Sequence, residues 1–201
     1  MKTNMFSIPL YFYQIESWQI KKQKLIDLLN KSKMTKDINV LTSFFDENLN
    51  ASQFEKIIHN DLEKFYNEIG YDFELMHYWF QIYKDEMSHN PHIHGPYGYS
   101  LIIFIEYDKK EHEPTSFLSP FTCSISGIYE TFSPNEEVSE GTMILFPSNI
   151  LHFAQVNKTS KDRIICSANL KFIQKNNNFK SNRGIKKWDT VMINSGNKKY
   201  F

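Results

Sequence analysis

Apolar residues recur along this chain in two rhythms. In Trp18–Asn30 (WQIKKQKLIDLLN), Ile20, Leu25, Leu28 and Leu29 fall at helical intervals, which predicts an amphipathic helix. A second helix is predicted from Ser52, an N-cap with Glu55 three residues on, to Gly70 as its stop. Its apolar stripe is Phe54, Ile57, Ile58, Leu62, Phe65 and Tyr66. Both helices keep a polar face, so each packs one side against a sheet. Beyond Gly70 the rhythm shortens. Phe73–Tyr83 is rich in aromatic residues and reads as β, and 99–107 (YSLIIFIEY) reads as a buried strand. Shorter β runs are predicted at Met5–Gln14, Ser124–Phe132, Thr142–Phe146, Leu151–Val156 and Arg163–Ile173. Turn-forming clusters separate them at Pro91–Gly98, Asp108–Thr115, Ser133–Gly141 and Asn157–Asp162.

Two helices followed by many short strands predict a mostly β, α+β fold: a sandwich or jelly roll backed by helices. Residues 1–174 form one domain, with a helical part over 1–70 and the β core over 71–174. Composition supports this. The chain has 201 residues, 41% hydrophobic and 15% aromatic, which excludes wholesale disorder. No apolar run reaches the ~18 residues of a membrane span. The N-terminus lacks a small-residue cleavage site and reads as mature protein. Cys123 and Cys166 make no disulfide framework, which fits a reducing compartment. A net charge of zero conceals an asymmetry. Residues 171–201 hold eight Lys/Arg and one acid, Asp189, while residues 1–170 hold 15 bases and 22 acids. The basic tail, 175–201, is expected to wrap the acidic body, anchored by Trp188 and Phe201. The competing expectation is an arm that recruits nucleic acid.

The candidate chemistry lies in the histidines. His92 and His94 are two positions apart in SHNPHIHG, and in a strand such residues share a face. His152, in GTMILFPSNILHFAQVN, follows 58 residues after His94 on a later β segment, and can supply a third imidazole from an adjacent strand. Imidazole suits iron, zinc, copper and nickel. An HxH pair alone is weak, because chance supplies one in about a quarter of chains with this many histidines. His89 reads as an exposed loop residue. His59 lies on a helix and His112 in a charged turn, so both fall outside the candidate site, and His77 stays open. Arg163 begins the strand RIICSANL, on whose face Ile165, Ser167 and Asn169 follow. Either it clamps an anion with paired hydrogen bonds or it sits at an exposed strand start beside a surface acid.

Taken together, the order of these motifs resembles the 2-oxoglutarate/Fe(II)-dependent oxygenases. The carriers are WFQIY, HIHGPYGYSLIIFIEYD, GTMILFPSNILH and RIICSANL, with the opening FSIPLYFYQIESW. The chain is most similar to a branch common in bacterial and marine-phage genomes, over roughly residues 5–172. The resemblance implies a double-stranded β-helix of the cupin-like jelly-roll type. It implies Fe(II) held by His92 and His152, and 2-oxoglutarate as cosubstrate with its distal carboxylate on Arg163. Asn169, Tyr83 and Ser100 would lie around that cosubstrate, and Trp79, Tyr83 and Tyr99 would wall the pocket. The activity implied is hydroxylation of an unidentified substrate, coupled to oxidative decarboxylation of 2-oxoglutarate by dioxygen. The implied location is cytoplasmic, in the host if the gene is a phage's, and a homodimer is left open. One departure is plain: where most of the superfamily has a carboxylate two residues after the first histidine, this chain has His94. Glu106 is the alternative carboxylate. The competing functions are a three-histidine cupin-type dioxygenase that does not use 2-oxoglutarate, and a non-catalytic jelly-roll binding protein.

Overall fold

The computed structural model describes residues 7–175. Two antiparallel sheets face each other, and two helices cover the outer face of the larger one. In chain order the elements are β1 (Tyr11–Gln14), α1 (Trp18–Lys31), β2 (Thr35–Asp37), β3 (Val40–Thr42), α2 (Ala51–Ile69), β4 (Tyr71–Tyr83), β5 (His89–His92), β6 (Tyr99–Glu106), β7 (Thr115–Thr122), β8 (Tyr129–Phe132), β9 (Thr142–Pro147), β10 (His152–Ala154) and β11 (Arg163–Lys175). The larger sheet runs β1-β9-β6-β11-β4-β3-β2, and the smaller runs β5-β10-β7-β8. The first 70 residues therefore supply three strands of the large sheet as well as both helices. The 175–201 tail lies outside the described residues, apart from Lys175 at the end of β11.

Alternation along the central strands builds two cores. Leu101, Ile103 and Ile105 of β6, Cys166, Ala168 and Leu170 of β11, and Tyr78 and Phe80 of β4 point to the helices, where they meet Leu25, Phe54, Ile58, Leu62 and Phe65. Ile102, Phe104, Ile165 and Tyr83 point the other way and meet Phe117, Ile144, Phe146 and Ile150 between the sheets. Strand β6 is thus apolar from Leu101 to Ile105 because both of its faces are covered. In β4 a bulge resets the pattern. His77 pairs with Asn169 but Leu75 pairs with Leu170, so Met76 is the extra residue. Leu75 and Phe73 consequently join Tyr78 on the helix side, while His77, Trp79 and Gln81 stay on the inner side.

Several boundaries differ from expectation. The α2 N-cap is Asn50, whose side chain accepts from the Gln53 backbone N–H, so Ser52 falls inside the helix. Gly70 ends α2 in the left-handed region (φ 78°), as expected. Strands β2, β3 and β7 were not anticipated, and only Tyr129–Phe132 of the 124–132 run pairs as a strand. Pro91 lies within β5, which is tolerated because β5 is the edge of its sheet. At Gly98 (φ +92°) a Cβ would lie 2.4 Å from the Leu170 carbonyl oxygen, so only glycine lets the chain enter β6 this close to β11.

Candidate metal centre

Strand pairing brings the histidines together. His152 on β10 is the direct cross-strand partner of His92 on β5, so the two imidazoles project from the same face of the small sheet. Two residues after His92, His94 is fixed by its backbone N–H on the Ser148 carbonyl, 2.9 Å away. Ligand atoms of His92, His94 and His152 all lie within 4.8 Å of one another. Their ring centroids are 4.4–5.1 Å apart.

The hydrogen bonds choose a tautomer at each ring. His92 Nδ1–H donates to the Asn90 carbonyl at 2.8 Å. His152 Nδ1–H donates to the Ile150 carbonyl at 2.9 Å. His94 Nδ1–H donates to Asn169 Oδ1 at 2.8 Å, with Ser100 Oγ 3.0 Å from the same nitrogen. In all three rings the proton sits on Nδ1, which leaves the Nε2 lone pair for a metal. Burial keeps the rings neutral. Desolvation lowers His94 to about 4, against the pull of Asn169, and lowers His152 to about 3, helped by His92. His92 is lowered by the same cause. Three neutral imidazoles with free Nε2 atoms fit a divalent first-row metal, and the donor set alone does not select iron. Glu106, the alternative carboxylate, is engaged elsewhere, 3.0 Å from Lys22 Nζ of α1.

The residues expected around the cosubstrate fall in two places. Ser100 and Asn169 are cross-strand partners on β6 and β11, and both polar ends are turned onto His94. Ser148 completes this group, 3.0 Å from Ser100 Oγ. Arg163 and Tyr83 are cross-strand partners at the start of β11 and the end of β4. Arg163 is 2% exposed, its guanidinium carbon is 4.4 Å from the Tyr83 ring centre, and it donates to the Glu113 and Gln155 carbonyls. It is not at an exposed strand start. Among the described residues no carboxylate comes within ion-pair distance of it, so a buried cation is left without an anion. Between the histidines and this end, Tyr83, Ile102, Thr115, Ile165 and Ser167 leave only about 10 Å³ of free space. Gln81 spans that space, accepting from Ser167 Oγ at 3.1 Å and donating to His89 Nδ1 at 2.9 Å.

Sequence reasoning misplaced two residues near the site and missed others. His89 is not an exposed loop histidine: its ring lies 4.1 Å from that of His92, and burial lowers its pKa to about 4. Tyr99 does not wall the pocket. It packs among Tyr11, Phe65 and Phe73 on the helix side. Outside the histidines opens a second cavity of about 300 Å³, lined by Asp37, Phe44, Phe45, Trp79, Ile93 and the metal-side histidines among others. Asp37, Phe44 and Phe45 come from the β2–β3 hairpin and the turn after it, where the sequence carries no motif.

No family model and no curated protein sequence matches this chain. Solved structures do. A Pseudomonas putida prolyl-4-hydroxylase superposes with a TM-score of 0.56 at 10% identity, over 82% of this chain and 93% of that one. A 2OG-Fe(II) oxygenase family oxidoreductase from Burkholderia pseudomallei gives 0.57 at 11% identity, over 85% and 87%. HygX from Streptomyces hygroscopicus, solved with nickel, 2-oxoglutarate and hygromycin B, gives 0.58 at 8% identity, over 82% and 83%. The chain therefore has the jelly-roll fold of the 2-oxoglutarate/Fe(II) oxygenases. At these identities the likeness is one of fold, and function has to be argued from the site.

Proposed function

We propose that this chain is an Fe(II)- and 2-oxoglutarate-dependent oxygenase, acting as a hydroxylase. The observation that carries the reading is the set of three histidines whose Nδ1 atoms all meet oxygen acceptors and whose ligand atoms lie within 4.8 Å of one another. Proteins of this fold include one solved with nickel and 2-oxoglutarate together, which gives the fold a precedent for both groups. Bound iron would supply dioxygen activation and C–H oxidation, coupled to loss of CO₂ from 2-oxoglutarate. His92, His94 and His152 would hold the metal. Asn169 and Ser100 orient His94 and fix its tautomer.

Arg163 is the anion partner for the distal carboxylate of 2-oxoglutarate. A desolvated guanidinium with no counter-ion binds a carboxylate strongly, because the cost of burying it has already been met by the fold. The closed inner space means that cosubstrate binding displaces side chains. Gln81, which bridges Ser167 and His89 across that space, is one such side chain. Phe117, Phe146 and Ile165 around it keep water from the reacting atoms.

A second reading rests on a specific observation. The centre has three histidines and no carboxylate, and its inner cavity is tight. This favours a three-histidine dioxygenase that binds its substrate directly and leaves 2-oxoglutarate unused. Incubating the Fe(II)-loaded protein with 2-oxoglutarate and dioxygen, and following succinate by NMR, separates the two. Succinate that depends on Fe(II) and disappears in His152→Ala supports the first reading. Intact 2-oxoglutarate under conditions where iron is bound supports the second.

A further inference from the structure

We propose that the outer cavity is the primary-substrate site, and that it selects a small molecule carrying an ammonium group beside an apolar or aromatic portion. This rests on the oxygenase reading only for the word substrate, because the recognition chemistry stands on the cavity itself. The cavity of about 300 Å³ opens onto His92 and His94 on one side. From His94 an aromatic wall runs outward. Trp79 lies 5.2 Å from the His94 ring, Phe44 lies 5.2 Å from Trp79 and nearly perpendicular to it, and Phe45 lies 5.4 Å from Phe44 at 89°. Such edge-to-face packing fixes the rings against each other. Yet Phe44 and Phe45 remain 47% and 58% exposed, an unusual state for two adjacent phenylalanines.

Charge decides the class of ligand. Among the described residues no lysine or arginine lines this cavity, and the carboxylate that does is Asp37 at the end of β2. Among the described residues the Asp37 carboxylate has no hydrogen bond and no ion pair. A carboxylate that lines one cavity together with aromatic rings is an arrangement that holds an organic cation: the carboxylate supplies the charge and the rings supply the cation–π attraction. Phosphorylated or carboxylated substrates find no basic partner here and meet Asp37 as a repulsive neighbour. The volume is at the small end for ligand pockets, which fits a metabolite rather than a polymer segment.

The test uses three probes of similar size on the full chain loaded with Zn(II): benzyltrimethylammonium, benzyl alcohol and benzenesulfonate. The quaternary ammonium neither ligates metal nor titrates. Calorimetry is expected to give the order cation, neutral, anion, with the cation at least about fivefold tighter than the alcohol at low salt. Asp37→Asn should abolish the difference between cation and alcohol, and Phe44→Ala should weaken both. Circular dichroism checks that the variants fold, and Asp37→Glu should restore part of the preference. Equal affinity for the three probes, tighter binding of benzenesulfonate, or an unchanged preference in Asp37→Asn would overturn the assignment. Failure of 2-oxoglutarate turnover with the probe order intact would instead strike the oxygenase reading and leave this one standing.

Discussion

Replacing Asn169 by alanine removes the oxygen that holds His94 in place. Asn169 Oδ1 accepts from His94 Nδ1 at 2.8 Å, and among the described residues the other polar atom at that nitrogen is Ser100 Oγ at 3.0 Å. Without the amide oxygen the ring is held by the hydroxyl alone, which also answers to Ser148. Loss of such an outer partner typically costs 10–100-fold in metal affinity, or about 1.4–2.7 kcal/mol. Ser100 remains, so Asn169→Ala should fall at the lower end, about tenfold, and the double variant with Ser100→Ala should approach the upper end. Asn169→Asp should hold or raise the affinity, because a carboxylate accepts the Nδ1 proton more strongly and makes Nε2 a better donor. The assay is competition for Co(II) or Zn(II) against a chromophoric chelator, with thermal denaturation of the metal-free variants run in parallel. If Asn169→Ala binds metal as tightly as the wild type at unchanged stability, His94 is not a ligand oriented from behind, and the three-histidine centre loses its structural argument.

Other outcomes follow from the same geometry. Metal affinity should stay nearly level as pH falls from 8 to about 5, since His94 and His152 already bind protons only near 4 and 3; affinity that falls instead through pH 6.5, where free imidazole titrates, would contradict the burial argument. The same depressed values imply that the unfolded chain takes up protons before the folded one, so the metal-free protein should lose stability as pH drops from about 6.5 toward 4, in a denaturant midpoint series. Arg163→Leu should destabilise the fold by about 2–5 kcal/mol in urea even without cosubstrate, because it strands the Glu113 and Gln155 carbonyls. Gly98→Ala should cost about 1–3 kcal/mol in the same assay, through its left-handed backbone and the approach to the Leu170 carbonyl.

How much of this was legible in the sequence depended on where the determining contacts lie. Strands β4, β6 and β11 announced themselves, because a strand covered on both faces must be apolar almost throughout. The two-residue spacing of His92 and His94, and the distance to His152, carried the metal centre. Asn169 and Ser100 were expected as cosubstrate contacts on the family resemblance. Their attachment to His94 needs the register of β6 against β11, and register is a long-range property. Strands β2 and β3 are only three residues long and β7 contains Pro120, so neither periodicity nor propensity marks them. The cavity wall formed by Asp37, Phe44 and Phe45 was hidden for the same reason. The placement of His89 failed through Gln81, whose side chain reaches across from β4 to hold a histidine that local sequence leaves free.

The central claim is that three histidines hold iron and leave coordination positions for a chelating cosubstrate. It is tested most directly by anaerobic titration of the protein with Fe(II) and then with 2-oxoglutarate, followed by visible absorption. The account predicts one equivalent of iron, then a visible charge-transfer band that saturates near one equivalent of 2-oxoglutarate. It also predicts that His152→Ala binds no iron, and that Arg163→Lys requires more 2-oxoglutarate to reach the same band. Iron bound by the wild type with no band at any concentration of 2-oxoglutarate, or a band that persists unchanged in His152→Ala, would contradict it.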